Sequence, residues 1–169
     1  LQMLLARVLR DRAGPGVLHL GQRALGWRND HGGVSLRTSV GDLPGRLIVA
    51  TFASLISRVQ QVVNTCEIYG RKLAVAGTTM TDNVKMAQKM GYLKIPDDML
   101  IKLEEANKMQ ADKVCIMATG SQGEPGAVLG RIATGRHQVI NAEPGDTFVL
   151  SAHPIPGNEE AIHRIVNKL

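Results

Sequence analysis

The sequence predicts an α/β fold: a mostly parallel sheet flanked by helices in three layers, preceded by a poorly structured segment. Two observations carry this. From Gly45 onward, apolar runs of strand length alternate with segments of helical period, an order that sets down parallel strands and crossover helices in turn. One of those runs, KVCIMATG at 113–120, is almost continuously apolar, so both faces of the sheet must be covered.

The elements follow in order. RLIVATF (46–52) is the first strand. The helix after it, over about 54–69, carries Leu55, Ile56, Val59, Val62, Val63, Cys66 and Ile68 in one broad apolar stripe, and Gly70 ends it as a left-handed cap. KLAVAG (72–77) is the second strand, after which Thr81 or Asp82 caps a helix through Met90 that stops at Gly91. Ile95-Pro96 breaks the chain, and Asp97 and Asp98 place carboxylates at the positive end of a helix over 97–109. Beyond the strand at 113–120, the loop SQGEPG leads to a helix over about 125–134 with Pro125 in its first turn. QVINA (138–142) is a short extended stretch before the turn Glu143-Pro144-Gly145-Asp146, TFVLSA (147–152) is a fourth clear strand, and NEEAIHRIVNKL is a helix capped by Asn158.

The chain has 169 residues, 44% apolar and 21% charged, enough for one globular core. Its net charge of +5 is compatible with a polyanionic partner. Aromatics are only 3%, so recognition by rows of stacking rings has few candidates. Cys66 and Cys115 stand far apart in apolar surroundings without a C-x-x-C pattern, which predicts reduced core thiols and a cytoplasmic setting. No apolar run approaches the roughly 20 residues of a membrane span. The histidines at 19, 31, 137, 153 and 163 have no metal-binding spacing, and there is neither a P-loop nor a G-x-S-x-G. No catalytic and no metal-ligating residue is therefore expected in this chain.

Three strand-to-helix junctions carry the candidate chemistry, because open parallel sheets place ligands there. In Thr119-Gly120-Ser121-Gln122-Gly123-Glu124-Pro125, glycines admit an anion to backbone N–H groups while Ser121 and Gln122 offer neutral hydrogen bonds. The same text also reads as a tight turn in which Glu124 satisfies a helix dipole. In Ser151-Ala152-His153-Pro154-Ile155-Pro156-Gly157-Asn158, two prolines stiffen the path, and His153 is either a phosphate contact or a local hydrogen-bonding residue. After the first strand, Thr51, Ser54 and Ser57 bring hydroxyls to the junction with Arg58, Gln60 and Gln61 close behind; for Ser54 the alternative is a helix cap.

These loops resemble ribonuclease J, of the β-CASP branch of the metallo-β-lactamase superfamily. The matching text is GRLIVATFAS with RVQQV, then ATGSQGEP, then LSAHPIPGNE, in the family's order and approximate spacing, from about Pro44 to Leu169. The resemblance implies a Rossmann-like β-CASP domain inserted in a metallo-β-lactamase domain, with single-stranded RNA in the cleft between them. It further implies zinc in the intact parent to activate water for phosphodiester hydrolysis. The metal signature H-x-H-x-D-H is not in this chain, so zinc is expected to be bound by the missing metallo-β-lactamase domain and not here. Ser54, Arg58, Ser121, Gln122, Glu124 and His153 are the RNA- or phosphate-binding candidates that remain. Where relatives read Ser-Asn-Val-His-Arg, this chain has Ser54-Leu55-Ile56-Ser57-Arg58, a departure that removes support for an RNA role of Ser57.

Residues 1–43 match nothing expected upstream. They hold six arginines and no lysine, the composition of a G+C-rich gene read in the wrong frame, and so read as out-of-frame text, with a flexible basic arm that contacts RNA as the alternative. The leading expectation is part of a homo-oligomeric ribonuclease with endonucleolytic and 5′-to-3′ exonucleolytic action in RNA processing and decay, silent as an isolated piece. The rivals are a stand-alone RNA-binding module, gripping phosphates with Arg58, Arg131 and Arg136, and an unrelated nucleotide-binding α/β enzyme.

Overall fold

The computed structural model describes residues 43–169 and, of the first 42, only the backbone of four short strands: Leu4–Leu9, Val17–Leu18, Trp27–Asp30 and Gly33–Leu36. The expectations for residues 1–42 otherwise lie outside the described residues.

Five parallel strands form the centre: β1 (Leu47–Ala50), β2 (Lys72–Ala76), β3 (Leu100–Ile101), β4 (Val114–Ala118) and β5 (Thr147–Leu150). Their order across the sheet is β5-β1-β4-β2-β3, and Leu4–Leu9 runs antiparallel along the outer side of β5. Leu47 of β1 stands level with Cys115 of β4 on one side and Thr147 of β5 on the other. The strands are a little shorter than the apolar runs that predicted them, because the last residues of each run turn into the loops at the carboxyl edge.

Alternation along the strands sorts two cores. Leu47, Val49, Leu73, Cys115, Met117 and Val149 face α1 (Ile56–Ile68) and α2 (Thr78–Lys89). Ile48, Ala50, Val114, Ile116, Ala118, Phe148 and Leu150 face α3 (Leu103–Ala106), α4 (Val128–Ala133) and α5 (Glu159–Val166). The three-layer architecture expected from the sequence is the one observed. Leu43 is already buried in the first core.

Gly70 and Gly91 end α1 and α2 in the same way. Both have left-handed φ, and the residue after each reaches back to the helix, Arg71 N–H to the Cys66 carbonyl and Tyr92 N–H to that of Ala87. Other boundaries differ from expectation. Helix α2 starts at Thr78, with Gly77 at φ 102° in the cap position, rather than at Thr81 or Asp82. Helix α4 starts at Val128 because Glu124 to Ala127 close a turn first, so Pro125 lies outside it. The helix expected over 97–109 is a turn, the edge strand β3 and the short α3. There the Met99 carbonyl accepts the Leu73 N–H and Lys72 binds Asp98, so pairing with the open edge of β2 outweighs helical propensity. QVINA is irregular chain, although the turn after it forms as expected, with Gly145 at φ 95°.

Two buried arginines organise the amino edge of the sheet. Arg46 grips Asp146 with Nε at 2.9 Å and Nη2 at 2.6 Å, and Nη2 also donates to the Asn141 carbonyl. Burial depresses the Arg46 pKa, and the hydrogen bond and charge of Asp146, with Glu143, more than reverse this, leaving it above the ordinary value. Arg71 donates to the carbonyls of Leu43, Gly45 and Val114, gathering three chain segments.

Candidate functional site

Strand order creates the site. The chain leaves β1 towards α1 on one face, whereas it leaves β4 and β5, the neighbours of β1, towards α4 and α5 on the other. The carboxyl end of β1 is therefore a switch point, flanked by loops that diverge to opposite faces. The Ser151 N–H bonds the Ala50 carbonyl at 2.8 Å and the Thr51 N–H that of Ala118 at 3.1 Å, while Thr51 Oγ1 donates to the Ser151 carbonyl. Loops 51–55, 119–127 and 151–158 thus rise from one continuous floor. The Ser151 hydroxyl is buried in that floor without a hydrogen-bond partner among the described residues.

Gln122 joins two of the loops. Only 3% exposed, it donates from Nε2 to the His153 carbonyl at 2.9 Å and accepts the Ile155 N–H on Oε1 at 2.8 Å; Asn158 Nδ2 lies 3.4 Å from the same oxygen. The side chain is an amide clasp across the end of β1. Asn158 holds the N-cap position of α5, but its side chain makes no cap bond. Ser121 is buried beside Gln122, whereas the Glu124 side chain is exposed and its carboxylate accepts the Gln122 N–H at 3.2 Å. His153 contributes its carbonyl to the clasp and exposes its imidazole. Gly123 has φ 80° and packs against the Ala161–Ile162 backbone where a Cβ would overlap, which brings loop 119–127 onto α5.

At the third junction Ser54 is exposed and does not cap α1. Leu55 holds the cap position and offers no side-chain acceptor, because the Phe52–Leu55 turn carries the chain one residue past the serine. Arg58 is buried, and desolvation lowers its pKa. Arg131 lies in the last turn of α4 and Arg136 beyond it, on the sheet face opposite to α1, which carries Arg58. Gln60 reaches the Lys94 carbonyl and N–H and ties α1 to the chain after α2.

The structure thus brings Ser121, Gln122, Glu124 and His153 together and leaves Ser54 on the neighbouring junction. Sequence reasoning missed the apolar side chains on the same edge: Phe52 (37% exposed), Leu55 (38%) and Ile155 (52%). Exposed apolar positions inside the loop motifs were their only signal. The three loops contain no lysine or arginine, and Glu124 and Glu159 are exposed at their rim.

Zinc does not fit here. Among the described residues no group of three or more His, Cys, Asp or Glu could hold a metal ion, and both cysteines are buried in the core. Contact with Cys66, with burial second, pushes the Cys115 thiol well above its usual pKa and keeps it protonated. No helix among the described residues is long and apolar enough to cross a membrane.

Residues 44–169 match the family pattern of the ribonuclease J β-CASP domain. The chain is 48% identical over 130 residues to ribonuclease J of Thermus thermophilus, covering 77% of this chain and 22% of that protein. It is 42% identical over 135 residues to ribonuclease J of Corynebacterium glutamicum (80% and 19%) and 41% over 124 to ribonuclease J2 of Bacillus subtilis (73% and 22%). The chain therefore spans about a fifth of the length of these curated relatives.

Proposed function

This chain belongs to the ribonuclease J family through its β-CASP domain, and on that premise we propose that residues 44–169 form one wall of the RNA cleft of a metal-dependent ribonuclease. The observation that carries the reading is the switch point at β1, where three motif-bearing loops share one floor and Gln122 clasps two of them. Its role is to position single-stranded RNA. Ser54 and His153 present polar groups to the strand from exposed loops, and Gln122 and Gly123 hold the presenting backbone rigid, which limits the entropy lost on contact.

Because the described residues do not fit zinc, the metal and the hydrolytic step are assigned to a metallo-β-lactamase domain of the parent. The parent would act endonucleolytically and from the 5′ end in processing and decay of cytoplasmic RNA, as a homo-oligomer, while residues 44–169 alone would bind RNA without cutting it. A chimera tests this. Residues 44–169 replace the matching segment of the Thermus thermophilus ribonuclease J, and cleavage of a single-stranded RNA is followed. Cleavage within tenfold of the parent enzyme is expected; a folded chimera that binds and cuts no RNA sinks the reading.

A further inference from the structure

We infer that Phe52, supported by Leu55 and Ile155, is the surface on which this wall receives an unpaired nucleobase of RNA. The inference rests on the reading above and adds what part of the RNA faces these loops.

An RNA strand offers two kinds of surface, an anionic phosphate backbone and the uncharged faces of its bases. Much of the affinity for the first comes from lysine and arginine, through counterion release. Loops 51–55, 119–127 and 151–158 have neither, Arg58 behind them is buried, and Glu124 and Glu159 put negative charge at the rim. Exposed carboxylates without a neighbouring loop cation disfavour phosphates at this edge, so a strand held here turns its bases towards it.

The apolar groups match that orientation. Of the aromatic side chains in residues 43–169, Phe148 is in the core, and Tyr69 and Tyr92 follow the carboxyl ends of α1 and α2 at the far end of the sheet. Phe52 alone stands at the carboxyl edge, two residues past β1, beside the strand end of β5. The turn from Phe52 to Leu55 returns a second apolar side chain to the same lip, and Ile155 rises from the loop that Gln122 holds in place. A single ring accepts one base at a time and is tolerant of which base, because every base has a π-face.

The 169-residue chain is titrated with a 5′-fluorescein oligouridylate and with an abasic oligomer of equal length and charge, followed by anisotropy. Phe52→Ala is expected to weaken oligouridylate binding at least tenfold, Phe52→Leu to weaken it nearly as much, and Phe52→Trp to keep it, all with unchanged melting temperature. The abasic oligomer should bind weakly and equally to all four proteins. If Phe52→Ala or the still-apolar Phe52→Leu binds oligouridylate like the unsubstituted chain, the base platform is refuted while the RNA-cleft reading stands. If the unsubstituted chain binds neither oligomer, the cleft reading itself fails and takes the platform with it.

Discussion

Gln122→Ala is the substitution that most directly probes how the site is built. It leaves the His153 carbonyl and the Ile155 N–H without their partners and opens a void at a position only 3% exposed. Both orphaned groups belong to an exposed loop that water can reach, so each is assigned the low end of the unsatisfied range, about 1 kcal/mol, and the void about 1 kcal/mol more. The expected loss is about 3 kcal/mol, or roughly 10 °C in melting temperature for a domain of this size. Urea unfolding followed by far-UV circular dichroism measures it. Gln122→Leu, which keeps the volume, should lose only the hydrogen-bond part, about 2 kcal/mol, and the Ile155 amide should exchange much faster in both variants. A Gln122→Ala protein within about 0.5 kcal/mol of the parent, with slow Ile155 exchange, would refute the clasp.

Gly123→Ala should cost more than about 3 kcal/mol, because its Cβ overlaps the Ala161–Ile162 backbone and its φ is 80°; Gly126→Ala, with open space around it, should be nearly neutral in the same urea titration. Asp146→Ala strands the Arg46 guanidinium in a buried site and should cost about 3–5 kcal/mol, whereas the paired replacement Arg46→Met with Asp146→Leu should recover most of that in thermal melts. His137 Nδ1 accepts the N–H groups of Val139 and Ile140, and burial, then Arg131, lowers its pKa below the usual 6.5. Its folded pKa is depressed, so the stability it contributes is complete above about 6.5 and is lost as pH falls through the folded value. Melting temperature should therefore drop between pH 7 and 5, and His137→Gln should flatten that slope.

What was legible in the sequence was what repeats locally. Strand-length apolar runs, the α1 stripe and the glycine stops at Gly70 and Gly91 are set by neighbours within a few residues, and each appears in the structure close to where the pattern put it. The order of the three loop motifs was also legible, and with it the family. Long-range pairing was not. A segment with good helical periodicity at 97–109 became an edge strand because β2 offered unpaired hydrogen-bonding groups, a fact about a strand some 25 residues earlier in the chain. The pairing of the buried Arg46 and Arg71 was not legible either, because the carboxylate and carbonyls that satisfy them arrive from distant segments.

The candidate site divides along the same line. Sequence alone determined that the loops after β1, β4 and β5 would carry hydroxyls, with glycines in the latter two, and would lie at helix starts, since turn chemistry is local. Only the tertiary structure decided which of their residues face outward. The order β5-β1-β4 brings two loops together over the end of β1, and that meeting turns Gln122 inward as a clasp while Phe52 and Ile155 stay at the surface. Strand order is the sum of many weak burial and pairing energies between residues far apart in the chain, so no short motif encodes it.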